Sequence, residues 1–294
     1  MIPVCLPPRA PSAPKRHLPV GSTDCHCHVY DDPVRYPLVE PRSYTPALAP
    51  MPAYRAMCDA IGITRTVQVS ASVYGFDNSL TLDAIREFGI DRARGVAGIA
   101  PDTADAELDR LHAGGIRGVR LSTHVKGYGG TELVDVIGRR IRRFGWHVQL
   151  HVAQIDELVA LAPLLHESTG ALVFDHLGCV RGRDGVGSPG FQAMLGLLRE
   201  RDDCWVKLSS WYRRSSSGPP SYADMKPLAQ ALVEARPDRV VFGTNWPHPN
   251  LFDVAEVPDD GNLVDVFHDW VPDDDLRERI LIGNPARLYG FGAA

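Results

Sequence analysis

The run Asp24-Cys25-His26-Cys27-His28 carries the residues of this chain best suited to chemistry. Side chains alternate faces along a strand, so Asp24, His26 and His28 are expected on one face and Cys25 and Cys27 on the other. Two imidazoles then stand side by side with no thiolate between them. That excludes a mixed Cys/His zinc knuckle within the segment. It leaves a pair able to hold a metal ion or to polarise a carbonyl group.

Such a pair needs other elements to bring partners to it. Short apolar runs at Arg65-Val69, Arg94-Ile99, Ile116-Leu121, His147-Val152, Leu172-Phe174, Cys204-Leu208 and Arg239-Phe242 read as strands, eight with the opening one. Between them, Leu80-Phe88, Ala104-His112, Glu132-Phe144, Ile155-His166, Phe191-Glu200 and Met225-Ala235 carry apolar residues at helical spacing. The alternation predicts an α/β protein with a closed, parallel (β/α)8 TIM barrel. An open doubly wound sheet shares much of the pattern, but no glycine-rich phosphate loop follows the first strand.

In a barrel of this kind the carboxyl ends of the strands meet in one mouth. The polar residues expected there are His26 and His28, Ser70 and Ser72, Arg120 with Ser122 and His124, and His151. Asp175-His176, Ser209-Ser210 and Thr244-Asn245-Trp246-Pro247-His248 complete the set. Any one of these histidines could be an ordinary hydrogen-bonded residue. So many polar groups at predicted strand exits point to a shared active site.

Composition agrees with a small-molecule enzyme. The 294 residues are 44% hydrophobic and carry a formal charge of -5, with no basic footprint for nucleic acid and no polybasic membrane patch. No run of about 20 apolar residues is present to span a bilayer. Six cysteines, at 5, 25, 27, 58, 179 and 204, lack the spacing of a disulfide framework and suit a reducing cytoplasm. Residues 1–20 form a proline-rich arm, expected either to pack on a neighbouring subunit of a homo-oligomer or to stay disordered. Residues 21–294 are expected to form one barrel domain.

Four motifs in order, Asp24-Cys25-His26-Cys27-His28, Tyr74-Gly75-Phe76-Asp77-Asn78, Phe174-Asp175-His176-Leu177-Gly178 and Phe242-Gly243-Thr244-Asn245-Trp246-Pro247-His248-Pro249, resemble the amidohydrolase superfamily. More narrowly, they are similar to its branch of 2-pyrone-4,6-dicarboxylate and 4-sulfomuconolactone hydrolases. The similarity runs from about Ser22 to the closing Asn284-Pro285-Ala286-Arg287-Leu288-Tyr289. The resemblance implies a distorted TIM barrel that opens a lactone ring by water attack on the ester carbonyl. His26, His28 and His176 would surround that carbonyl, with or without a divalent cation, zinc foremost, to which Asn245 would be a fourth ligand. Without metal, the histidines would donate to the developing oxyanion.

Asn245 departs from the Gly-Thr-Asp-Trp-Pro-His pattern of that branch, where the aspartate serves as the base. An amide has no useful basicity near neutral pH, although its oxygen accepts hydrogen bonds. Three explanations stand: metal-activated water with His176 or His248 assisting, an Asp-to-Asn substitution that traps substrate, or a protein that binds lactone without turnover. A decarboxylase on the same scaffold is a further alternative. For substrate, the resemblance implies Arg120 and Arg213 as anion-binding forks, Lys126 in place of another arginine, and Cys179 in place of one more. Tyr44, Ser72, His151 and His248 would be further contacts to an anionic lactone.

Overall fold

Eight parallel strands follow one another in chain order around a single sheet: β1 (Thr23–Cys27), β2 (Arg65–Val69), β3 (Ala93–Ala97), β4 (Ile116–Ser122), β5 (His147–His151), β6 (Leu172–Phe174), β7 (Cys204–Leu208) and β8 (Val240–Phe242). The computed structural model of the protein describes residues 2–292. Each expected strand is present, and the sequential parallel order is that of a (β/α)8 barrel. Around it lie α1 (Met51–Ile61), α2 (Ser79–Phe88), α3 (Asp105–Ala113), α4 (Val134–Ile141), α5 (Glu157–Glu167), α6 (Pro189–Glu200), α7 (Lys226–Ala235) and α8 (Asp260–Trp270). The first and last of these escaped the periodicity. Pro50 and Pro52 make the start of α1 look like a loop, although proline suits the first helical turn, and Asp260-Gly261-Asn262 resembles turn chemistry.

The interior is divided along the barrel axis. Its apolar part is a cluster of Cys25, Val67, Val69, Val96, Val173, Trp205 and Val241, plugged by Tyr289 and Phe291 from the carboxyl terminus. Its polar part is formed by Arg120, Gln149 and Lys207, whose side chains converge on Asp175. A second apolar layer fills the space between strands and helices.

β1 corrects the expected alternation. An irregularity in its pairing with β2 falls between Asp24 and Cys27, so two consecutive side chains turn the same way. Cys25 packs in the barrel interior and His26 also points inward, to Asp175. Asp24 and Cys27 face the helical layer instead, where Asp24 accepts from Tyr54 of α1 (3.0 Å) and Cys27 meets Thr66 (3.2 Å). Asp24 therefore closes the barrel rather than joining the histidines. It accepts from the Thr244 amide (2.9 Å) and hydroxyl (2.6 Å), and burial pushes its carboxyl up to about 6 against these hydrogen bonds. The seam is completed where the Asn245 amide donates to the His26 carbonyl (2.7 Å) and the His28 amide to the Trp246 carbonyl (2.8 Å).

The arm lies along its own barrel. Cys5 donates its amide to the Thr45 carbonyl (2.8 Å), Leu6 donates to Leu251 (3.3 Å), and the Ser12 amide donates to Asp259 (2.9 Å). Its partners are backbone atoms and carboxylates scattered over the chain, a set with no signature in composition.

Gly243, between β8 and this seam, has no room for a side chain. A Cβ there would sit 2.7 Å from the His26 Cβ. Gly243→Ala is expected to lower unfolding stability by about 1–3 kcal/mol through overpacking. Denaturant titration checks it, and a variant as stable as the parent would show that the seam can shift freely.

Candidate active site

Five strand ends supply the groups beneath the mouth. The fully buried Asp175 carboxylate, just past β6, accepts from four donors. They are His26 Nδ1 (3.1 Å) and Lys207 Nζ (3.5 Å) on one oxygen, and Arg120 Nε (2.9 Å) and Gln149 Nε2 (3.0 Å) on the other. Lys207 also donates to Gln149 Oε1 (2.6 Å). Burial alone would raise Asp175, but Arg120 and Lys207 overcome it and hold the carboxyl far below its usual range. Burial lowers Lys207 and is only partly offset by Asp175.

Three imidazoles stand above this cluster. The His26 ring is 5.1 Å from His28 and 4.6 Å from His176, centroid to centroid. Each has its Nδ1 engaged: His26 with Asp175, His28 with the Val69 carbonyl (2.8 Å), and His176 with the Ser209 hydroxyl (2.8 Å). A carboxylate and a carbonyl only accept, so His26 and His28 carry hydrogen on Nδ1 and keep a lone pair on Nε2. The His26 Nε2 is buried without a partner. Desolvation keeps all three neutral, driving His28 down to about 3 and His26 and His176 well below their usual value.

These tautomers suit a cation. His26, Asp175 and His176 each bring a ligand atom within 4.8 Å of the others. With four donors on the carboxylate, the imidazole lone pairs are the free ligands, and their Nδ1 partners are of the kind that orient metal-bound histidines. His26 and His176 thus fit a divalent ion, with His28, outside that group of three, as a further imidazole beside them. Without a metal, His26 and His28 have no Nε2 hydrogen to give an oxyanion, whereas the Ser209 hydroxyl can donate or accept and so allows His176 either tautomer.

Above the histidines opens a small cavity, lined by His28, Tyr44, Ser72, Arg120, His151 and His176 together with Ser210, Arg213 and Asn245. Sequence reasoning placed nearly all of these. It did not find Arg214, which also lines the cavity, nor the buried Lys207 and Gln149, which sit within apolar strand runs. The inward periodicity of β5 and β7 was the available signal for the last two.

Lys126 and His248 lie elsewhere. Lys126 is exposed, in a loop held by its own amide to Ser43 (3.2 Å), and is not among the residues lining the cavity. His248 turns behind Asn245, with Nδ1 on the Tyr212 hydroxyl (2.9 Å) and Nε2 on Asp260 (3.2 Å), so both ring nitrogens are engaged away from the mouth. Burial works against its charge, but Tyr212 and Asp260 raise it to about 9. Arg213 lines the cavity while spending three donors on its own loops: on Ser210 (3.1 Å), on the Asn250 carbonyl (3.3 Å) and on the Pro249 carbonyl. Arg214 gives one, to the Ala153 carbonyl (3.3 Å).

Among the described residues lining the cavity none is acidic, while three are arginines. The walls attract anions, and no carboxylate is at hand to act as base.

Comparison with known proteins agrees with this chemistry. The family model described as amidohydrolase matches residues 23–291. The chain is 39% identical over 292 residues to a 4-sulfomuconolactone hydrolase from Hydrogenophaga intermedia, covering 98% of this chain and 95% of the relative. It is 38% identical over 289 residues to a 2-pyrone-4,6-dicarboxylate hydrolase from Comamonas testosteroni, covering 95% and 93%. An apo crystal structure from Agrobacterium tumefaciens superposes with a TM-score of 0.84 at 28% identity, over 96% of this chain and all of the other.

Histidines buried as neutral groups tie stability to pH. Below about 6.5 the unfolded chain takes up protons that the folded chain refuses, so stability falls on acidification, down to about 3 for His28. Asp175, whose folded value is depressed, adds a loss of the same sign at lower pH. The melting temperature should therefore drop steadily as pH is lowered from 6.5, with a shallower slope in His28→Gln. A flat profile across that window would show these imidazoles to be charged in the fold.

Proposed function

Because this chain belongs to the amidohydrolase family, we propose that it is a lactonase, opening an anionic lactone ring by attack of water on the ester carbonyl. The observation that carries this reading is a cavity with a floor of neutral imidazoles and a wall of guanidinium groups, free of carboxylates. A carboxylated or sulfonated lactone has the complementary charge.

His26, His28 and His176 would hold the metal through Nε2, and zinc suits an all-imidazole set. When bound, such an ion supplies Lewis acidity toward the ester carbonyl and toward water. The chain's own residues do the rest. Arg120, fixed by Asp175 through Nε, keeps its terminal nitrogens for a substrate carboxylate or sulfonate beside Tyr128, and Arg214 offers a second fork. Tyr44 and Ser72 line the wall beside Arg120 and orient the ring. His151 has Nδ1 near the Ser122 hydroxyl (3.3 Å), is neutral, and has Nε2 free to receive the proton of water and return it to the leaving oxygen. The six cysteines are all buried and unpaired, which suits a reducing cytoplasm.

A panel of carboxylated and sulfonated lactones tests the reading. One equivalent of new carboxylic acid per turnover is expected, and release of carbon dioxide would instead identify a decarboxylase. Arg120→Ala should lose about 1.5–3 kcal/mol of transition-state stabilisation, read as kcat/KM. Chelation should abolish turnover and zinc should restore it, whereas full activity in metal-free protein would remove zinc from the account.

A further inference from the structure

Behind Asn245 runs a hydrogen-bonded chain that the lactonase chemistry does not use. Asn245 Nδ2 lies 2.9 Å from the Tyr212 hydroxyl and 3.2 Å from that of Ser210. The Tyr212 hydroxyl is 2.9 Å from His248 Nδ1, and His248 Nε2 is 3.2 Å from Asp260. Asp260, at the start of α8, is buried, as are Asn245 and His248. These groups come from three separate parts of the chain, and each link has hydrogen-bond length.

The chain is anchored at its far end. A carboxylate can only accept, so His248 must place a hydrogen on Nε2. Its Nδ1 meets the Tyr212 hydroxyl. The Tyr212 oxygen can accept from both Asn245 Nδ2 and His248. Of the two ends of the carboxamide only the NH₂ group can donate, and its other hydrogen is directed to Ser210, which lines the cavity.

We propose that Asp260, His248 and Tyr212 are positioning residues that lock the Asn245 carboxamide in one orientation, its NH₂ toward Tyr212 and its oxygen toward the cavity. Asn245 then offers the site a fixed acceptor, which is what holding a water molecule beside a lactone carbonyl requires. This consequence for turnover rests on the lactonase reading, whereas the orientation itself does not.

Two readouts separate these parts. With asparagine side chains labelled with ¹⁵N in the full-length protein, the Asn245 NH₂ resonance, identified by its loss in Asn245→Ala, should exchange slowly with solvent. In Tyr212→Phe it should exchange at least about tenfold faster. Asp260→Asn, which can reverse the His248 tautomer, should do the same while retaining the tyrosine ring. In lactone assays both variants should lower kcat about 10- to 100-fold with KM nearly unchanged, and Tyr212→Phe should add little in an Asn245→Ala background. An Asn245 NH₂ that exchanges freely in the parent, or equally in all variants, overturns the proposal. A protected NH₂ in a protein that opens no lactone keeps the orientation and rejects the lactonase reading. Additive losses of kcat would show Tyr212 and Asn245 acting independently and overturn the positioning role.

Discussion

The Asp175 carboxylate is the point on which the upper half of the barrel depends. It is completely buried, a position that an anion holds only when it is paired and fully hydrogen-bonded. Its partners come from β1, β4, β5 and β7, so one carboxylate draws four other strands into register at their carboxyl ends. The same contact fixes the His26 tautomer and anchors Arg120 by one nitrogen. Structural charge balance and site geometry are thus a single arrangement.

Its neighbour shows how the chain divides labour between adjacent residues. Asp175 has extended backbone (φ -71), whereas His176 is at φ 54, so consecutive side chains can serve the interior and the cavity. Ser210 at φ 56 and Asn245 at φ 63 also have left-handed backbone where the chain leaves β7 and β8. Such conformations are uncommon outside glycine and gather where tertiary bonds hold them. Asparagine is among the residues that tolerate this region best. Asn245 accordingly suits its backbone as well as its hydrogen bonds.

Charge is distributed on the same plan. The acidic groups near the site, Asp24, Asp175 and Asp260, are buried against partners outside the cavity lining, and the cavity keeps the cations and the neutral imidazoles. An anionic ligand meets no like charge there. Desolvation keeps the histidines neutral, and with it their lone pairs.

Local pattern in the sequence was enough to determine the eight strands, six of the helices and the gathering of His26, His28, Arg120, His151, His176 and Asn245 at one mouth. Strand periodicity and the rule that parallel barrels collect residues at carboxyl ends act over short stretches, and both survive folding. Three matters needed the tertiary structure. The irregularity in β1 removed Asp24 from the histidine face and gave it to the seam, because barrel closure against Thr244 outweighed alternation. The polar interior of Lys207, Gln149 and Asp175 joins residues far apart in sequence, and no local pattern distinguishes a paired buried lysine from an interruption of a strand. The roles of Arg213, Lys126 and His248 likewise depended on which donors were already engaged, a property of the assembled hydrogen-bond network rather than of residue type.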